Sequence, residues 1–133
     1  MNNIVEIINN LPDLLPLSPA ENRQIQDAEI QLRVSFSEEY KTYLAQFGAI
    51  MADGIELTGI SKSEHRDVVA LTKKERALNP KVPNNMYVIE NTCVDGIIVW
   101  QDSKGNVYQT YPESEPKMIA SSMAEYILKR QRK

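Results

Sequence analysis

The sequence is poor in the side chains that build disulfides, metal sites and nucleophilic active sites. It has one cysteine, Cys93, and one histidine, His65, among 133 residues. One cysteine cannot form a disulfide within the chain, so a reducing compartment, the cytoplasm, is the predicted location. A structural zinc ion requires four ligands, and one His with one Cys cannot supply them. No metal or other cofactor is therefore expected.

Long apolar runs and a surplus of basic charge are also missing. No segment approaches the ~20 apolar residues that span a bilayer, and the N-terminus lacks the basic start of a signal peptide. The formal net charge is −3 and the pI is about 5.2, whereas nucleic-acid-binding domains are usually strongly basic. Neither a membrane nor a nucleic acid is an expected partner.

Motifs for catalysis are missing as well. A Ser or Cys nucleophile usually needs a neighbouring base, most often histidine, but His65 lies in a charged segment and is expected to be solvated. Cys93 is expected to be a small buried residue, as free cysteines commonly are. The glycines Gly48, Gly54 and Gly59 are too far apart for a phosphate-binding loop. No catalytic residue is predicted; a cleft shared by His65, Cys93 and a carboxylate would contradict this interpretation.

The carboxylates that attract attention are assigned structural roles. Glu38 and Glu39 are adjacent in a predicted helix, so their side chains diverge by about 100° and are expected to be solvated. Asp95 and Asp102 flank one predicted strand at turn sequences, where Asp side chains accept hydrogen bonds from nearby backbone amides. An enzyme that uses these scattered carboxylates is the least favoured alternative.

Apolar side chains recur at helical spacing in the first third of the chain. One helix is predicted at residues 2–10, and a second begins after Ser18, the expected N-cap, with Glu21 as its reciprocal partner. The clearest helix is capped by Ser35 or Ser37 and ends at Gly48. Its apolar stripe consists of Phe36, Tyr40, Tyr43, Leu44 and Phe47.

The later pattern alternates as strands do. Strands are predicted at residues 54–60, 86–89, 97–101 and 107–111, with a turn at 102–105. Helices are predicted at residues 67–78 and near the C-terminus, where Ser122 and Glu125 form a capping box. This order predicts one α+β domain, residues 1–133, in which a mainly antiparallel sheet packs against the N-terminal helices and a C-terminal helix.

Trp100 lies in a strand that is apolar on both sides, which leaves two interpretations open. In the first, helices and a loop cover both faces and Trp100 belongs to the core. In the second, one face is open and presents Trp100, Tyr108 and acidic neighbours to a protein partner, because Trp and Tyr often anchor interfaces. The candidate partner-binding residues are Glu56, Asp95, Trp100, Asp102 and Tyr108.

Several motifs follow one another in order over about residues 18–128. They are Glu29-x-x-Leu32-x-x-x-Phe36-Ser37-x-x-Tyr40-Lys41-x-Tyr43-Leu44-x-x-Phe47-Gly48, Glu56-Leu57-x-Gly59-Ile60, Asp67-Val68-Val69-x-x-Thr72-x-x-x-Arg76, Val88-Ile89, Asp95-Gly96, Gly105-x-Val107-Tyr108 and Ser121-x-x-x-Glu125-Tyr126. Together they resemble the SUKH superfamily (Smi/Knr type). Two departures are Ser37, where that family usually has proline, and a region around Asp95 that is less rich in glycine.

The resemblance implies a mixed α+β fold without catalytic residues. It also implies a function, because the superfamily includes fungal cell-wall assembly regulators and many bacterial toxin-immunity proteins. Immunity, by binding a toxin encoded nearby, is the expected role, and a general regulatory or adaptor module is the alternative. Residues 1–60 carry nine acidic and three basic side chains, which is compatible with covering a basic toxin surface.

Overall fold

The computed structural model describes residues 3–131 of the chain. This part of the chain contains five α-helices: α1 (Ile4–Asn9), α2 (Asn22–Leu32), α3 (Glu38–Phe47), α4 (Val68–Leu78) and α5 (Met123–Gln131). It also contains seven strands: β1 (Leu15–Pro16), β2 (Ile50–Ala52), β3 (Ile55–Leu57), β4 (Tyr87–Asn91), β5 (Ile98–Gln101), β6 (Val107–Thr110) and β7 (Lys117–Ala120). The predicted α+β fold is confirmed.

The strands form two antiparallel sheets where one was predicted. The small sheet has the order β1-β2-β3, and the large sheet has the order β4-β5-β6-β7. A backbone hydrogen bond from Thr58 to Ile89 (2.9 Å) joins the end of the small sheet to β4. The predicted hairpin of β5 and β6 is confirmed, with Trp100 opposite Tyr108.

The helix predictions agree with the structure at most ends. Ser37 caps α3 by accepting a hydrogen bond from the Tyr40 amide, and Gly48 ends this helix at φ +75°. The first predicted helix included Asn2, which lies outside the described residues; within them Asn3 caps α1. At α5 the Glu125 amide donates to Ser122, but the Glu125 carboxylate accepts from Ser121, one residue before the expected partner.

The predicted start of α2 is wrong. The helix begins at Asn22, and its N-cap is Glu21, which forms a capping box with Gln24. Residues 17–20 stay extended because tertiary contacts hold them: Leu17 donates to the Ala49 carbonyl (2.8 Å) and Ala20 to the Leu44 carbonyl (2.9 Å). These contacts outweigh the local helix-start signal of Ser18.

The large sheet separates two apolar clusters. On one face, side chains of β4, β5 and β6 pack with α1, α2, α3 and α5 in the main core. On the other face lies a second cluster, in which α4 and the segment after it cover the sheet; it consists of Leu71, Val82, Met86, Val88, Ile98 and Trp100. Both faces are therefore covered at β5, which is why this strand is apolar on both sides.

Two glycines form the tightest backbone crossing in the fold. The Ile60 amide donates to the Gly48 carbonyl (3.0 Å), so the segment after β3 runs directly over the end of α3. A Cβ atom on Gly59 would lie 1.7 Å from the Gly48 oxygen, and one on Gly48 would lie 2.0 Å from the Ser18 oxygen. Only glycine at both positions lets the three segments approach this closely.

Candidate protein interface

The predicted partner-binding residue Trp100 is buried. Its side chain is 0% exposed, and its indole Nε1 donates a hydrogen bond to the Thr110 hydroxyl (3.0 Å). The second interpretation, which placed Trp100 on an open face, is therefore corrected: α4 and the segment after it cover this position. Trp100 supports the sheet from within and is not available to a partner.

Asp102 and Tyr108 lie together beside Trp100, but Asp102 is committed to a turn. Its carboxylate accepts hydrogen bonds from the amides of Lys104 and Asn106 (both 3.0 Å), and it is 8% exposed. The Tyr108 hydroxyl donates to the same carboxylate (3.1 Å). Burial, together with this hydrogen bond, raises the pKa of Tyr108. The turn role expected for Asp102 is confirmed, and Tyr108 is half-buried.

Asp95 and Glu56 are exposed and lie apart from that group. Asp95 adopts a left-handed conformation (φ 53°) in the turn between β4 and β5. Asp tolerates this conformation, but no hydrogen bond of the Asp95 side chain occurs among the described residues, so its expected capping bond is wrong. Glu56 lies on β3, with the Arg66 Nε atom 3.8 Å from its carboxylate. The five predicted residues do not form one site.

His65, Cys93 and Glu56 line a common cleft with a volume of about 160 Å³. This is the arrangement that would contradict a non-catalytic interpretation, so its geometry matters. Within residues 3–131, no hydrogen bond joins these three side chains, whereas a nucleophile and its base lie within hydrogen-bonding reach. The prediction that Cys93 is buried is wrong, because Cys93 is exposed; it follows β4 and has a left-handed conformation (φ 58°). The structure thus brings His65, Cys93 and Glu56 to one cleft, and in the described part of the chain their side chains are not hydrogen-bonded to one another.

Residues 3–131 contain no group of three or more His, Cys, Asp or Glu side chains that could hold a metal ion. None of the helices in this range is long and apolar enough to cross a bilayer.

Glu39 has a structural role that the sequence did not reveal. Its carboxylate accepts hydrogen bonds from the amides of Met123 (2.6 Å) and Ala124 (2.9 Å) at the start of α5. The buried Gln101 amide also donates to it (3.0 Å) and is itself held by the Tyr87 hydroxyl (2.8 Å). Burial raises the pKa of Tyr87, so this hydroxyl stays protonated and donates. The expectation that Glu39 is merely solvated is wrong; a carboxylate at a helix N-terminus stabilises that helix.

Replacing Glu39 with glutamine is expected to lower the free energy of unfolding by about 1–2 kcal/mol, because one charged acceptor at the α5 N-terminus is lost. Glu38→Gln is the matched control. It removes a charge from the same turn of α3, but Glu38 is exposed and pairs with Lys41 only at the surface (3.2 Å). Its expected cost is below about 0.5 kcal/mol. Urea denaturation of both variants measures the difference, and equal costs would contradict the capping role.

The small sheet presents a row of exposed side chains on its outer face. Leu15 on β1 pairs with Met51 on β2, which pairs with Glu56 on β3. Leu15 is 64% exposed and Met51 is 38% exposed. Sequence reasoning missed this row because neither β1 nor β2 was predicted. The sequence gives no clear signal for β2, because Ile50, Met51 and Ala52 are all apolar and do not alternate with polar residues.

A family model covers nearly the whole chain. The family model SUKH_5, described as SMI1-KNR4 cell-wall, matches residues 1–130. The chain belongs to the SMI1-KNR4 (SUKH) family. No curated protein sequence matches it significantly.

In this SUKH chain, the motif residues that can be traced have structural roles. The Tyr40 hydroxyl bonds with the Thr58 hydroxyl (2.9 Å), and Tyr43 donates to the Thr58 carbonyl (2.7 Å). Arg76 donates to the carbonyls of Leu32 (3.1 Å) and Met86 (3.1 Å), which joins α2, α4 and β4. Burial raises the pKa of both tyrosines and lowers the pKa of Arg76. These SUKH motif residues therefore hold the fold together.

Proposed function

We propose that this SUKH chain is a non-catalytic protein-binding domain that neutralises a cognate bacterial toxin. Family membership supports the proposal, because the SUKH family includes toxin-immunity proteins. The main supporting observation is that several polar side chains form hydrogen bonds within the protein, which leaves an apolar surface exposed. Asp102, Glu39 and Arg76 each hold backbone groups of the protein itself, while an exposed apolar row remains on the small sheet.

The absence of catalysis is part of the proposal. The cleft that His65, Cys93 and Glu56 share is small, and in the described part of the chain its side chains are not hydrogen-bonded to one another. The domain works, on this view, in the cytoplasm through surface complementarity with a protein, without a nucleic acid, membrane or cofactor. One folded domain is sufficient for this activity.

Co-expression with the neighbouring toxin gene tests the proposal. Cells that express the toxin alone should stop growing, and cells that also express this chain should recover. The purified proteins should form a 1:1 complex in size-exclusion chromatography. An unrelated SUKH-sized protein, expressed to the same level, is the control. Continued toxicity with no complex between the two products would contradict the proposal.

A regulatory adaptor is the second candidate, and the cell-wall description of the matching family favours it. It requires a protein partner that is not a toxin. Deleting the gene for this chain should then leave cells insensitive to the neighbouring effector but should alter growth in a cell without that effector. Affinity capture from such a cell, followed by binding of the purified partner, distinguishes the adaptor from the immunity protein.

A further inference from the structure

The outer face of the small sheet is apolar where a solvated sheet face would be polar. Side chains alternate between the two faces of a strand, and Ile50 and Leu57, the neighbours of Met51 and Glu56, are fully buried at 0% exposure. The register therefore places Met51 outward, and Met51 belongs to neither apolar cluster. Opposite it across the strand pair is Leu15, the most exposed member of the row.

The row continues into a depression next to α2. Leu17, which is 36% exposed, directly follows β1, and its amide donates to the Ala49 carbonyl (2.8 Å), which extends the pairing of β1 with the β2 segment. Leu17 lines a depression of about 490 Å³ together with Pro19 and Ile60; the polar part of the lining includes Glu21 and Lys62. Among the large exposed apolar side chains of residues 3–131, Leu15 and Met51 are the one couple that face each other across paired strands. An apolar surface of this kind marks an interaction site.

The negative charge of this face favours a partner with a basic surface. Residues 12–21 and 49–60, which build the face, carry four carboxylates (Asp13, Glu21, Asp53 and Glu56) and no lysine or arginine. The following loop adds Lys62, Glu64 and Arg66, and the sum stays negative. The Asp53 amide donates to the Pro12 carbonyl (3.0 Å), which brings two of the acidic segments together at one end of the row. Complementary charge accelerates association and suppresses wrong partners.

The strand edge argues against a second copy of the chain as the occupant. β1 is two residues long and ends in Pro16, which has no amide hydrogen to donate to an added strand. Short edge strands and edge prolines are the usual means by which proteins prevent sheet extension. Another exposed apolar groove, between Leu78 and Tyr111, has acidic and basic residues at its rim, Glu75, Glu113 and Lys74. It offers no comparable charge preference.

The small sheet is also held rigidly. Glu90 of β4 accepts a hydrogen bond from the Glu56 amide (3.0 Å), and Arg130 of α5 donates to the Gly54 carbonyl at the β2–β3 turn. A surface held in its binding conformation loses less conformational entropy on association.

We propose that the outer face of the small sheet, with Leu15, Leu17 and Met51 at its centre and carboxylates at its rim, binds a basic surface of the toxin. This inference rests on the proposed function. Apolar contacts at the centre supply the binding free energy, and the carboxylates supply attraction and orientation.

The test measures the affinity of the purified chain for the purified product of the neighbouring toxin gene, with Met51→Lys as the main variant. The introduced charge both disrupts the apolar centre and repels a basic partner, so the dissociation constant should rise at least about 30-fold. Met118→Lys is the matched control, since Met118 is 51% exposed on β7 of the other sheet; it should change affinity less than about twofold. Thermal unfolding should show both variants folded.

A charge variant tests the basic partner separately. The Asp53 carboxylate is exposed in the turn, so Asp53→Asn removes a charge with little change of shape. It should slow association several-fold at low salt, and the wild-type affinity should fall as salt rises. Affinity that does not depend on salt would overturn the basic-partner inference.

The remaining outcomes separate this inference from the proposed function. A wild-type chain that fails to bind the toxin contradicts the proposed function and this inference with it. A wild-type chain that binds, with Met51→Lys and Met118→Lys binding equally well, overturns the inference alone. A concentration-dependent dimer of the wild-type chain that Met51→Lys abolishes would also overturn it, because a second copy would then be the occupant.

Discussion

Gly59→Ala is expected to cost about 4 kcal/mol or more and to leave much of the chain unfolded at 37 °C. The added Cβ would lie 1.7 Å from the Gly48 carbonyl oxygen and 2.8 Å from the Ala49 Cβ. Neither obstacle is the flexible end of a side chain, so the two segments must separate. The hydrogen bond from the Ile60 amide to Gly48 would break as they do. Costs of this size are a large part of the stability of a typical domain.

Gly54→Ala is the matched control for this prediction. Gly54 has a left-handed conformation (φ +76°), but a Cβ atom there would meet nothing within 4 Å. Alanine at Gly54 therefore measures conformational strain alone, expected to be about 1–2 kcal/mol. Urea denaturation followed by circular dichroism gives both values. A Gly59→Ala chain as stable as Gly54→Ala would show that the crossing can open at low cost.

Arg130→Met is expected to lower the free energy of unfolding by about 3–5 kcal/mol. The Arg130 guanidinium pairs with the Glu90 carboxylate, whose side chain is 3% exposed. Burial acts to lower the pKa of Arg130, but Glu90 and Tyr126 raise it, and the net shift is upward. Methionine would leave the Glu90 charge buried without its cation, and an uncompensated buried charge is costly. The neighbouring Lys129→Met, which removes an exposed cation, should cost below about 1 kcal/mol.

A double variant separates the cost of leaving the buried Glu90 carboxylate unpaired from the contribution of the Glu90–Arg130 ion pair to stability. Glu90→Leu with Arg130→Met removes both charges, and apolar replacement of buried ion pairs is often close to neutral. The double variant should therefore recover at least half of the stability that Arg130→Met loses. If it is less stable than both single variants, the ion pair itself contributes strongly to the fold. Urea denaturation of the wild-type chain, the two single variants and the double variant measures the four free energies of unfolding that this comparison needs.

The sequence predicts those helices and strands whose structure depends mainly on residues close by in the chain. The α3 helix follows from its apolar stripe, its Ser37 cap and Gly48, and the β5–β6 hairpin follows from two apolar runs around a turn sequence. Strands β1 and β2 are only two and three residues long and pair across more than 30 residues of sequence. Such short segments carry too little alternation to be recognised. Strand β7 was missed because its sequence, Lys-Met-Ile-Ala, does not alternate between polar and apolar residues. The false start of α2 shows the converse, a strong local signal that tertiary contacts override.

The candidate site was less predictable than the fold. The partners of Glu39 lie 84 and 85 residues away, and no sequence spacing indicates such a contact. Trp100 was known to lie in a strand that is apolar on both faces, but the sequence could not say that α4 covers one of them. Glu56 is the one predicted partner-binding residue that lies in the exposed row, and its role stays a prediction.

Because Leu15, Met51 and Glu56 project away from both apolar clusters, exchanging them costs the folded state little. Hydrogen bonds to Glu90 and Arg130 hold the small sheet in place. The sheet would therefore present new side chains at these three positions in the same geometry. Substitutions at these three positions, one on each strand of the small sheet, would therefore change the chemistry of the proposed binding surface while the rest of the fold stays the same.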